Sequence, residues 1–216
     1  MLAFLIKYPH KIYNPLIQHL KITAITLIIS LLIAILISIV IMRYPLVSQI
    51  VVGLFGAVYA IPSLALFAML IPFLGLGEQT AIFVLVIYNQ FILVRNILAG
   101  FRSIDPAIIE SAVGMGMSDS QLFFRISLPL ASPVILAGIK IAIVSTIGIA
   151  TIAATINAGG LGTLLFEGLR TRNNAKILWG ALLASLLTIT ANAILSIFEK
   201  KAHKAISGER GKDNKL

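Results

Sequence analysis

Two uncharged apolar runs constrain this chain more than anything else in it: residues 22–42, 21 in number, and residues 44–77, 34 in number. About 20 residues suffice for a helix to cross roughly 30 Å of hydrocarbon, whereas a barrel strand needs only about 9–11. No water is at hand in lipid, so each backbone polar group must be satisfied internally, and runs this long achieve that as helices. Residues 79–94, 126–139, 141–166 and 177–198 are further apolar runs. The fold class that follows is all-α, a polytopic membrane protein of about five transmembrane helices. Hydrophobic residues make up 59% of the 216, against roughly 45–50% in a soluble domain, and the length fits one domain.

In chain order, residues 1–21 read as a juxtamembrane segment. They hold Lys7, Lys11, Lys21, Tyr8 and Tyr13 without an acid, which suits the headgroup layer. Pro9 and Pro15 argue against one continuous helix there. Residues 22–42 are an uncleaved first span, because Arg43-Tyr44-Pro45 follows in place of a small-residue cleavage site. Residues 44–77 form one broken second span, interrupted by Pro62, Pro72 and the glycines Gly53, Gly56, Gly75 and Gly77. Such a break either lines a cavity or is a packing kink, and both readings stand. Asn89 and Gln90 in the third run are expected to hydrogen-bond across helices, with substrate contact as the second option. Arg95 and Arg102 lead into the polar loop that follows. Lys140 is expected to snorkel near the cytoplasmic end of a fourth span. Three glycines, Gly159, Gly160 and Gly162, make a continuous helix improbable, so a break falls at about Asn157, followed by a short or re-entrant helix. Glu167, Arg170, Arg172 and Lys176 then form a charged loop. Residues 177–198 are the last span, with Trp179 as an interfacial anchor, and 199–216 are a basic cytoplasmic tail.

The polar stretch 104–129 reads as two short helices and a turn. Asp105 caps the first, with Pro106 at its first position, where a missing N–H costs nothing. Gly114 and Gly116 break it. Ser118 and Gln121 form a capping box for the second, and Leu128-Pro129 ends that helix. A polar linker between spans is the plain alternative.

This stretch resembles the signature loop of the membrane subunits of ATP-binding-cassette importers, E-A-A, three residues, Gly, nine residues, I-x-L-P. Glu110, Ala112, Gly116, Ile126, Leu128 and Pro129 all fall in register, and Ser111 replaces the first alanine. The resemblance implies a type I permease domain over 22–198, whose loop docks in a groove on a cytoplasmic ATPase. Two ATPase copies then rock two permeases between outward- and inward-facing states. It implies docking roles for Glu110, Ser111, Ala112, Gly114 and Gly116, with Ile126, Leu128 and Pro129 orienting the second helix. It also implies that ATP and Mg are bound by the partner and that this chain carries no cofactor. The other partners implied are an extracellular substrate-binding protein and either a second copy of the chain or a sister permease, within the lipid of a bacterial cytoplasmic membrane.

Residues 59–77 and 154–169 look like the permeases of osmoprotectant importers, which carry glycine betaine, carnitine or choline. Asn157 stands where that pattern more usually has glycine. The candidate translocation path is then Tyr59, Pro62, Ser63, Phe67, Asn157, Gly159, Gly160 and Gly162. Tyr59, Phe67 and Phe73 either offer aromatic faces to a trimethylammonium group or pack the spans. Methionine-importer permeases share the glycine-rich ending and the five-span plan, and are the alternative substrate class.

The net charge of +9 does not point to nucleic acid. Lys200, Lys201, Lys204, Arg210, Lys212 and Lys215 crowd the tail with no interleaved aromatic for base stacking, as expected of a cytoplasmic flank. Five spans then put the N-terminus outside and the tail inside, and a sixth span drawn from 153–169 would move those charges outward. There is no cysteine. His10, His19 and His203 lie in terminal segments and read as surface histidines without metal-ligand spacing. No G-x-x-x-x-G-K-S/T phosphate loop occurs, so an enzyme is not expected. A passive channel, a secondary carrier or a membrane scaffold remain as readings of another class, although the runs hold no acid of the kind coupled carriers use.

Overall fold

The computed structural model describes residues 6–206, with side chains described as far as residue 202. Arg210, Lys212 and Lys215 therefore lie outside the described residues, and the side chains of His203 and Lys204 outside the described ones. The described chain is helical. In order it has α1 (His10–Ile41), α2 (Pro45–Tyr59), α3 (Ser63–Leu74), α4 (Glu78–Arg102), α5 (Pro106–Gly114), α6 (Asp119–Leu122), a π turn (Phe123–Ser127), α7 (Leu128–Ile152), a 3-10 turn (Ala153–Ile156), α8 (Leu161–Arg170) and α9 (Asn174–Ile206).

Among the described residues, four helical stretches are long and apolar enough to cross a membrane: α1, α4, Asp119–Ile156 and α9. The pair α2 and α3, bent by 93°, supplies a fifth if it is counted as one span. The broken second span expected from Pro62 is thus present. Pro72, by contrast, lies inside α3 without ending it. The break expected between residues 1–21 and the first span does not occur, because α1 runs unbroken from His10 with Pro15 inside it. Pro15 removes the N–H that would donate to the Lys11 carbonyl, yet the helix continues through it. Leu128-Pro129 does not end the second loop helix either. The π turn donates the Leu128 N–H to the Phe123 carbonyl, which shifts the register and carries the helix into α7 with Pro129 in its first turn. Arg95 and Arg102 lie in the last turns of α4 and lead into the loop.

Helix α4 is the hub, packed between α1 and α7, and Val84, Leu85, Leu93 and Val94 are among its buried residues. It meets α7 closely at Gly138, where a Cβ would lie 2.3 Å from that of Asn96; small residues allow such approach in lipid. Helix α1 turns its polar stripe inward. His19, Thr23, Thr26, Ser30 and Ser38 are buried, while Ile28, Leu32, Leu36 and Val40 face outward. At the centre, Asn89 donates to Ser30 Oγ at 3.3 Å and to Thr146 Oγ1 at 2.9 Å, joining α1, α4 and α7. Gln90 donates to the Ser30 carbonyl at 3.3 Å. The cross-helix role expected of both amides is what the structure shows.

Of two expectations about charge, one is extended and one is corrected. Lys140 does not snorkel alone: it pairs with Glu199 at 3.1 Å and fastens α7 to α9. Glu167 and Lys176 are not a free loop, since they pair at 2.7 Å between α8 and the start of α9, with Lys176 buried.

Candidate docking loop and translocation path

The loop is built by local rules. Asp105 Oδ1 accepts the Ala107 N–H at 2.9 Å, and Pro106 opens α5. The helix ends in a two-bond cap: the Gly116 N–H donates to the Val113 carbonyl and the Met117 N–H to that of Ala112. That pattern places Gly116 at the left-handed position, and its φ is +80°. Gly114 remains helical, so of the two glycines only Gly116 makes the turn. Ser118 and Gln121 form the expected capping box, with the Ser118 N–H donating to Gln121 Oε1 at 3.0 Å.

The loop's surface is less polar than its residue roles imply. Glu110 and Ser111 are exposed, but so are Val113 at 56% and Met115 at 75%. Ala112 is only 2% exposed, so it packs beneath the loop and makes no outward contact. The Ser111 hydroxyl donates to the Ala107 carbonyl at 2.7 Å. Ile126 and Leu128 are half-buried and Pro129 is exposed. Phe123 stacks on Phe101 of α4 with centroids 5.7 Å apart, which locks the second loop helix to the hub. Sequence reading did not single out Val113 and Met115; their signal is apolar side chains in a segment outside the membrane runs.

The path residues form two groups that the structure brings together. At the α2–α3 bend, Tyr59 ends α2, Pro62 is extended with ψ 133°, and Ser63 opens α3. The Ile61 carbonyl in the break accepts the Tyr88 hydroxyl. At the second break Asn157 is left-handed, φ 62° and ψ 25°. A glycine would adopt that conformation freely and asparagine tolerates it better than most residues, which accounts for the substitution. Gly159 and Gly160 also have positive φ, and a Cβ at Gly162 would lie 1.9 Å from the Thr151 carbonyl oxygen. Ile156 and Ala158 share one buried cluster with Leu66 and Phe67, so the breaks pack back to back. Phe67 is wholly buried and Phe73 is 82% exposed; neither lines an opening. Tyr59 is half-buried against Tyr88 and Phe91. Packing is therefore the role of Phe67.

His19 was expected at the surface but is fully buried in α1. Its Nδ1 accepts the Leu161 N–H at 3.3 Å, and Gln18 Oε1 accepts that of Gly160 at 3.3 Å. Together they cap α8, whose own N-cap, Gly160, has no side chain to do so. At the other end of α8 the Lys176 ammonium, hydrogen-bonded to Glu167, holds its carboxyl below the usual carboxylate range.

Residues 26–207 match the profile of the family described as binding-protein-dependent transport system inner membrane component. The chain is 37% identical over 182 residues to the carnitine transport permease protein OpuCB of Listeria monocytogenes, covering 84% of each chain. It is 34% identical over 184 residues to the choline transport system permease protein OpuBB of Bacillus subtilis, covering 85% of each. Its fold is similar to that of a chain from an inward-facing MetNI methionine ABC transporter, with TM-score 0.78, 18% identity, and 88% and 95% of the two chains covered.

Proposed function

Because the chain belongs to the family of binding-protein-dependent transport system inner membrane components, we propose that it is the permease of an importer for quaternary-ammonium osmoprotectants: glycine betaine, carnitine or choline. The family is one of membrane-embedded transport components, not of catalysts. The observation that carries the substrate class is the match to carnitine and choline permeases along most of their length. ATP and Mg belong to a cytoplasmic ATPase, two copies per assembly. A second permease, identical or sister, and an extracellular binding protein complete it.

The geometry supports a mechanism. Val113, Met115 and Glu110 present an apolar patch with one carboxylate at the loop's tip, suited to an apolar groove with a basic rim. Ala112 and Gly116 shape the loop, while Ile126, Leu128 and Pro129 join it to α7. Movement of the ATPase passes through the continuous helical stretch Asp119–Ile156 to the break at Asn157. There the 3-10 turn Ala153–Ile156 meets α3 just past the Pro62 bend, Gly159 and Gly160 back onto Gln18 and His19 of α1, and the two breaks together make the gate. Irregular backbone at membrane depth is tolerated where it is buried in protein or lines a water-filled cavity.

The test is uptake of labelled glycine betaine, carnitine, choline and methionine in cells with and without the gene, at low and high osmolarity. Loss of quaternary-ammonium uptake alone is expected. Loss of methionine uptake alone refutes the substrate class and leaves the permease mechanism.

A further inference from the structure

An open cleft of about 670 Å³ lies between α2 and α4 on the docking-loop side of the bundle, lined by Ser48, Gln49, Gly53, Arg95, Ala99 and Arg102 among others. Arg95, Ala99 and Arg102 follow one another at intervals of four and three, so they share one face of α4. Both arginines are exposed, and neither enters an ion pair among the described residues. Arg95 sits seven residues inside the end of α4, about 10 Å along the helix. A guanidinium at that depth is costly against lipid, and within membranes such groups face cavities or partners. The walls agree: Gln49, Gly53 and Ala99 are also exposed, and nothing stands within 4 Å of a Cβ built on Gly53. The outward face of α9, with Leu182, Leu186 and Ile189, is by contrast a lipid surface.

Beside the cleft, Arg95 packs on an aromatic pair. Phe91 and Tyr59 lie with ring centroids 5.1 Å apart, and the Arg95 guanidinium stands over the Phe91 ring at 5.7 Å. The Phe91 face is thus taken by Arg95 itself, which holds one of two guanidiniums that donate only and need an anion. A trimethylammonium carboxylate carries one such anion. We infer that Arg95 and Arg102 line the cytoplasmic exit of the translocation path and receive the carboxylate of the zwitterionic substrate as it leaves. The inference rests on the osmoprotectant reading for its substrate, and on the cleft alone for its water-filled, anion-attracting character. Both arginines are open to solvent, so the attraction is weak enough for release.

The chain has no cysteine, so Ala99→Cys gives this subunit a single thiol. In inside-out vesicles of the assembled transporter, the thiol is treated with membrane-impermeant methanethiosulfonates, one bearing a sulfonate and one a trimethylammonium. Both should react, and once each rate is divided by that reagent's rate with a free thiol the anionic one should be about tenfold faster, as expected where a cleft of one sign concentrates counter-ions. Adding Arg95→Gln and Arg102→Gln should abolish the preference. A thiol that reacts with neither faces lipid or another subunit, and one without preference faces no anion site; either result overturns the inference. In proteoliposomes the double variant should lower glycine betaine uptake about tenfold and leave choline, which has no carboxylate, within about twofold, the loss of one charge-assisted hydrogen bond. Arg95→Lys should restore part of the betaine rate. Equal losses for both solutes refute the carboxylate role. A wild type that moves neither refutes the substrate reading and the carboxylate assignment with it, while the thiol ratio still decides the cleft.

Discussion

Gly116 shows how much of the docking loop depends on one residue. Its φ of +80° is out of reach for proline, whose ring holds φ near about −65°. Gly116→Pro should therefore undo the cap of α5 and abolish uptake, while membrane abundance, read by immunoblot, stays within about twofold because few packed residues are lost. Normal uptake in that variant would remove the docking assignment. Glu167 gives a pH-dependent test. Its carboxyl is depressed by the hydrogen bond from Lys176, so the pair's stabilisation is fully present above the ordinary glutamate value of about 4.3. It is lost as pH falls through the lower folded value. With Glu167 45% exposed, the effect is limited to about 1 kcal/mol by solvent screening. Glu167→Gln should lower Tm by about 2–4 °C at pH 7 and converge with the parent in acid. Single residues were also where the sequence was least legible. His19 reads as a surface histidine because its chain neighbourhood is terminal and basic. Its burial follows from an acceptor role toward Leu161, 142 residues away, and no local pattern carries that. Asn157 was legible as a break but not in its conformation, which the left-handed φ now explains.

Among the elements, the spans and their breaks could be read because length and charge alone demand them, but the fate of each proline could not. Pro62 interrupts its helix, Pro72 and Pro15 do not end theirs, and the difference is tertiary: at Pro62 the Tyr88 hydroxyl is placed to satisfy the Ile61 carbonyl. The amphipathic sense of α1 was equally hidden. In lipid a polar stripe faces inward, and a run rich in Ile and Leu masks the histidine and four small polar residues that form it. The outer helix α9 packs mainly on α7 and α8, and its Glu199–Lys140 pair is the one charged fastening to α7 among the described residues. With 28% and 32% of the side chains exposed, Lys140→Glu alone should destabilise, lowering the detergent Tm by about 2–4 °C. Adding Glu199→Lys should recover most of that loss. No recovery would mean that the two charges are held by solvent rather than by each other.

For the whole molecule, the expected domain plan is extended at both ends of the bundle: α1 reaches back to His10 and α9 forward to Ile206. The feature of greatest consequence is the 38-residue stretch Asp119–Ile156, about 57 Å long at 1.5 Å per residue. Its π turn at Phe123–Ser127 spaces hydrogen bonds by five residues in place of four, so it holds one residue more than a regular helix. Deleting Arg125 should convert it to plain α-helix and leave α6 in its present phase relative to α7, because the wide turn already absorbs the extra residue over the same rotation. Membrane insertion and osmoprotectant uptake should both persist, and loss of uptake would show that the wide turn itself is required. The turn therefore sets a phase angle between two ends of one shaft, like the keyed offset of a crank. A sequence of the same length and the same hydrophobic pattern that wound this segment as a regular helix would build the same bundle and aim its docking helix at empty water.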